Sequence, residues 1–148
     1  MQFVNADPAS LVIRVATIRD EDDYDEAWAV CDVDEFDVTS ALAEANARGV
    51  DLALSAPSFE VWLTLHLSTT CPGFSDAKQV GRYLKSVLSS WDKTQLRFAD
   101  FQAHVWLAVD RAKQLGEPPE ANPSTAVWKV IESLGRPLMG VEIPSDEK

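Results

Sequence analysis

Cysteine is scarce: Cys31 and Cys71 are the only two in 148 residues. Two thiols cannot build a disulfide framework, and neither belongs to a Cys-x-x-Cys pair, so both read as reduced thiols of a cytoplasmic protein. Long apolar runs are also missing. No segment approaches the roughly 18 apolar residues of a membrane span, and no membrane partner is expected. The opening MQFVNADPAS lacks the basic and apolar regions of a signal peptide. Internal repeats and low-complexity stretches are absent. Positive charge is nearly absent from the first sixty residues, which hold three Lys/Arg against fourteen Asp/Glu, whereas residues 61–148 hold ten of each. The whole net charge of −11 therefore lies in the first sixty residues. Such a surface repels bulk nucleic acid unless metal ions or a local basic patch intervene.

What is present is a core. Hydrophobic residues make up 46% of the chain, with five Trp and six Phe. That excludes disorder, collagen and coiled-coil classes. The length fits one domain that folds without staples. We place that domain at residues 1–137, followed by a polar tail at 138–148.

The pattern along the chain alternates. Gln2 to Val4 reads as a short strand. Asp7-Pro8 is an N-cap followed by a first-turn proline, opening a helix to about Arg19. The run Asp20 to Glu26 reads as an acidic loop. Trp28 to Cys31 is a compact apolar strand ending at Asp32. Thr39 or Ser40 caps a helix through Arg48, and Gly49 ends it. Val50 to Leu54 is a second strand, and Ser55-Ala56-Pro57-Ser58 turns into a helix from Phe59 to about Leu67. Helices follow over about Asp76 to Leu88 and along the stripe Phe98, Phe101, Val105, Ala108, Ala112, Leu115. Asn122-Pro123-Ser124-Thr125 starts a last helix through about Leu134. Strands alternating with helices predict an α/β class: a small, mostly parallel sheet flanked by helices, with a helical C-terminal half.

Ligands of open α/β sheets bind beyond the carboxyl ends of the strands, which draws attention to Asp32 and Asp34. In an extended segment these carboxylates share a face, roughly 6–7 Å apart. Two carboxylates suit Mg²⁺, which takes one or two of them with waters and phosphate oxygens. A chance Asp-x-Asp in an acidic chain is the plain alternative. The segment Asp32 to Asp37 lacks the sixth-position glycine of an EF-hand. Glu60 sits near a helix N-terminus, where the macrodipole favours it in any case. His66 shares an apolar helix face with Phe59 and Leu63, a setting that also suits a satisfied core histidine. Glu60 and His66, six positions apart, lie about 120° around the helix and form no HExxH-type pair. Lys78, Arg82 and Lys85 fall on one helix face, followed by Lys93 and Arg97. They are either a nucleic-acid-contacting patch or a solvated face.

Three strings carry a family resemblance: Tyr24 to Phe36 (YDEAWAVCDVDEF), Ser55 to His66 (SAPSFEVWLTLH), and Asn122 to Thr125 (NPST) before the final helix. In order and spacing, over roughly residues 7–135, the chain resembles the RloB family. These are small bacterial and archaeal proteins found beside restriction and other phage-defence genes. The resemblance implies a Toprim-like fold and a metal-dependent nuclease site for Mg²⁺ or Mn²⁺, in which Asp32 and Asp34 match the Asp-x-Asp. Glu60 and His66 match motif positions of the family. The family pattern opens on a strand bearing Glu-Gly, and no glutamate precedes Glu21 here. The resemblance thus implies an incomplete site with little nuclease activity, for which Glu60 is the substitute acid. The rival expectation is a non-catalytic module that binds a defence partner protein, a nucleotide or a second copy of itself.

Overall fold

A computed structural model describes residues 7–34, 36–69 and 71–135. The expected strand at Gln2 to Val4 and the tail at 138–148 lie outside them.

Helix α1 (Pro8–Asp22) begins as its sequence dictates, with the Asp7 carboxylate accepting from the Ser10 N–H at 3.1 Å and proline in the first turn. It runs three residues into the acidic stretch that was expected to be loop. Asp23, at φ +56°, ends it in the left-handed conformation, and its N–H returns to the Arg19 carbonyl. Arg19 offsets part of the acidic charge: it pairs with Asp20 at 3.0 Å and donates to the Gly49 carbonyl at 2.8 Å.

Strand β1 (Trp28–Asp32) lies parallel to β2 (Asp51–Ala56), with Trp28 opposite Asp51 and Asp32 opposite Ser55. Helix α2 (Thr39–Arg48) makes the crossover, and Gly49 at φ +64° ends it. Its start differs from expectation: neither Thr39 nor Ser40 caps it, and the Asp37 carboxylate accepts the Thr39 N–H at 2.9 Å instead.

The third strand was not foreseen. Ser124–Thr125 forms β3, antiparallel to β2, with Ser55 opposite Thr125. The sheet, of order β1-β2-β3, is therefore mixed within the expected α/β class. The segment cannot start a helix because its polar groups are engaged with β2. The Ser55 and Thr125 hydroxyls bond at 2.8 Å, and the Ala126 N–H reaches the Leu54 carbonyl at 2.7 Å. Thr125 Oγ1 also accepts the Val127 N–H at 3.3 Å.

Four further helices follow among the described residues: α3 (Glu60–Leu67), α4 (Ala77–Val87), α5 (Val105–Gln114) and α6 (Val127–Ser133). The long helix expected from Phe98 is instead two 3-10 turns, Phe98–Asp100 and Gln102–His104, leading into α5. Phe98 is 70% exposed, so it does not join the stripe that begins at buried Phe101.

Two cores flank the sheet. Val12, Ala16, Ala41 and Ala45 of α1 and α2 pack on Ala29, Cys31 and Leu54. Val61, Leu65, Val80, Leu84, Val109 and Val127 form the other core, around α3. Every residue of α3 from Glu60 to His66 is buried, the signature of a helix surrounded on all sides. No helix among the described residues is long and apolar enough to cross a membrane.

Candidate functional site

The sheet alternation puts Ala29 and Cys31 against the α1–α2 core and turns Val30 and Asp32 to the opposite face. That face is open at β1: Val30 is 43% exposed and Asp32 half-buried. Asp32, the last residue of β1, is held in place, since its Oδ1 accepts the Phe59 N–H at 2.8 Å. This bond ties the carboxyl end of β1 to the start of α3. The backbone carries the tie further, with Val33 N–H to the Ser55 carbonyl at 2.9 Å and Asp34 N–H to the Pro57 carbonyl at 3.0 Å.

Asp34 does not continue the strand. It lies in a turn at φ +32°, a region that Asp tolerates better than most residues. The shared face expected from an extended Asp-x-Asp is therefore not how the two carboxylates meet. Glu60, the first residue of α3, and more weakly the exposed Asp34 act on Asp32 through their charges. Burial raises the Asp32 pKa above the usual carboxylate range. The nearby charges of Glu60 and Asp34 push it the same way, while the Phe59 N–H and Lys93 oppose them. Glu60, with a side chain only 10% exposed, pairs with Lys93 Nζ at 3.5 Å. Between Phe59 and the end of β2, the buried Ser58 hydroxyl has no partner among the described residues.

The Lys93–Glu60 pair is the contact in this cluster that sequence reasoning did not assign. The position of Lys93 after Lys85 gave it a place in a basic series, but nothing in that series pointed to Glu60.

The donors here are hard oxygens, which fit Mg²⁺ or Mn²⁺ rather than a thiophilic metal. Among the described residues no three His, Cys, Asp or Glu side chains close into a metal cage. Asp32, Asp34 and Glu60 do not form a preformed cage, and a cation here would rest on one or two carboxylates and draw the rest of its sphere from water and phosphate oxygens.

His66 stands apart from this cluster. Six residues along α3, it is about 9 Å further down the helix axis. Its Nδ1 lies 2.9 Å from the Trp62 carbonyl oxygen. A carbonyl only accepts, so the neutral ring carries its proton on Nδ1. Trp62 and Phe101 meet it edge to face at centroid distances of 4.8 and 5.5 Å. Burial lowers its pKa below the ordinary 6.5. Lys78, Arg82 and Lys85 are exposed on α4, whose buried residues are Val80 and Leu84. Lys85 donates to the Trp91 carbonyl at 2.9 Å.

The cysteines are not part of the site. Cys31 is buried and Cys71 half-buried, both are free, and burial pushes each thiol up to about 11.

Fold and site together define a small α/β domain with acidic side chains gathered where its two parallel strands end. The family follows from comparison: a family model described as RloB-like protein matches residues 2–134, and the chain belongs to that family. No curated protein and no solved structure shows a significant match.

Proposed function

We propose that this chain is a Toprim-like, metal-dependent nuclease domain of a bacterial antiviral defence system, in which one or two of the carboxylates Asp32, Asp34 and Glu60 would hold Mg²⁺ or Mn²⁺. The observation that carries the reading is the bond from the Phe59 N–H to Asp32, which sets that carboxylate beside Glu60 at the carboxyl end of the parallel strands. Glu60 is then the third acid that a site built on Asp32 and Asp34 alone would lack.

A bound cation would neutralise phosphate charge and lower the pKa of a water so that it supplies a hydroxide nucleophile. The chain's own residues supply orientation. The N–H at the start of α3 fixes one oxygen of Asp32 and leaves the other to ligate. Lys93, 78% exposed beyond its ion pair with Glu60, would meet a phosphate oxygen. Lys78, Arg82 and Lys85 extend positive charge along α4 for the nucleic-acid backbone.

Cleavage of single- and double-stranded DNA and RNA, with Mg²⁺ and with Mn²⁺, is the direct test. Cleavage by the wild type that is lost in Asp32→Asn and in Glu60→Gln supports the proposal. Cleavage unaffected by both substitutions, or none under any condition, overturns it.

A second reading, a non-catalytic interaction module, draws on the exposed Val30 in β1, an edge strand among the described residues. Such an edge accepts a partner strand or a second copy. A Val30→Glu change that converts a dimer to a monomer in light scattering would favour it.

A further inference from the structure

An apolar groove runs along α3 away from the carboxylates. Its volume is about 260 Å³, and it is lined by Phe59, Trp62, His66, Leu96, Phe98 and Phe101 among others. The groove and the acidic cluster share two walls. Phe59 lines the groove with its ring and holds Asp32 with its backbone N–H. The segment after α4 sends Lys93 to Glu60 and then Leu96 and Phe98 to the groove. Two of the lining residues are unusually exposed for their type, Leu96 at 54% and Phe98 at 70%. Arg97 stands between them, paired with Asp100 at 3.3 Å.

We propose that this groove is the base subsite of the nuclease, taking one unstacked nucleobase of a single strand while the adjoining phosphate lies at Asp32, Glu60 and Lys93. The inference rests on the phosphodiesterase reading and names its substrate as a strand with a base free to leave the stack. Four observations select a nucleobase over an apolar peptide. Five of the nine lining residues carry flat rings, and exposed Phe98 offers the face on which a base stacks in a sequence-tolerant way. The volume is below that of a drug-sized pocket and suits a single planar ring system. Lys93 and Arg97 lie in the same segment as Leu96 and Phe98, each exposed beyond its ion pair and so within reach of a strand's phosphates. Finally, the groove and the carboxylates adjoin, since Phe59 lines the first and holds Asp32 through its N–H, and Glu60 is the next residue. His66 adds a polar edge: with Nδ1–H committed to the Trp62 carbonyl, Nε2 is its acceptor nitrogen.

The test uses adenosine and thymidine, which carry no phosphate and need no metal, in saturation-transfer NMR on the full chain. Transfer to the base protons is expected for the wild type. The dissociation constant should weaken about fivefold or more in Phe98→Ala, the effect of losing one stacking platform. Leu96→Ala is the second variant; both positions are exposed, and far-UV circular dichroism checks that folding is unchanged. No transfer in the wild type, or equal binding by both variants, overturns the proposal. So does competition by an uncharged leucine-rich peptide at the same concentration as the nucleosides. The two proposals fail separately. Nucleoside binding without any cleavage removes the nuclease reading and leaves a base-binding groove, whereas cleavage without nucleoside binding removes the groove alone.

Discussion

Replacing Asp32 by Asn removes one negative charge and keeps an oxygen that can accept the Phe59 N–H at 2.8 Å. In the native protein the charged form of Asp32 is disfavoured, first by burial and then by Glu60 and Asp34. A carboxyl whose native pKa is raised contributes most below its unfolded pKa, 3.8, and loses that contribution as pH rises through the native value. Asp32→Asn should therefore be more stable than the wild type at pH 7 without metal, and the difference should close as pH falls below 4. Adding the cation should reverse the order. At ten times its dissociation constant, a ligand specific to the native state stabilises by about 1.4 kcal/mol. For a chain of this size that is about 4–6 °C in Tm. The wild type should show that rise with Mg²⁺ or Mn²⁺ at constant ionic strength, and Asp32→Asn should not. Asp32→Ala separates charge from anchoring, because it also loses the bond from Phe59; a hydrogen bond to a charged group is worth about 1.5–3 kcal/mol. Differential scanning calorimetry of the three proteins, with and without metal, is the assay. An equal metal-induced rise in wild type and Asp32→Asn would refute the reasoning and move the site elsewhere, the exposed Asp20 to Glu26 stretch being the place to look.

Thr125→Val should lower stability by about 1–3 kcal/mol, because it leaves the buried Ser55 hydroxyl without its 2.8 Å partner and the Val127 N–H uncapped; calorimetry showing a change within 0.5 kcal/mol would contradict this. His66 is buried neutral with a lowered pKa, so the unfolded chain binds a proton more readily and stability should fall as pH drops below about 6.5. His66→Phe should flatten that part of the pH profile, and an unchanged profile would assign it to other groups. Reversing the charges of Lys78, Arg82 and Lys85 should weaken nucleic-acid binding and make it less salt-dependent. Identical affinity and salt slope in the triple variant would show those side chains to be only a solvated face.

The sequence was most legible where one physical signal dominated. The apolar runs at 28–31 and 50–54 specified β1 and β2, and Gly49 specified the end of α2 through a conformation that other residues avoid. Asp32 drew attention because it ends an apolar strand, and Glu60 because it opens a helix. Three features stayed hidden. Ser124–Thr125 is too short for any period to register, and its pairing depends on Ser55, seventy positions away. The stripe from Phe98 to Leu115 kept helical spacing through two 3-10 turns, because an apolar residue at the right interval says nothing about whether it is covered. Lys93 reaches Glu60 only through the packing of α4 and its following segment against α3, which no local pattern encodes.

The burial of α3 from Glu60 to His66 bears on hydrogen exchange. Its amides should trade with deuterium only when the whole domain opens, so their protection should equal the global unfolding free energy. Residues 89–104, held by turns and short 3-10 segments, should exchange orders of magnitude sooner. One side of the groove, carrying Glu60 and the backbone anchor of Asp32, would then keep its shape on every timescale short of unfolding. The other, carrying Lys93 and Phe98, would open and close many times in that interval. Exchange mass spectrometry with and without a bound nucleoside would show how much slower that second side becomes once it has something to close upon.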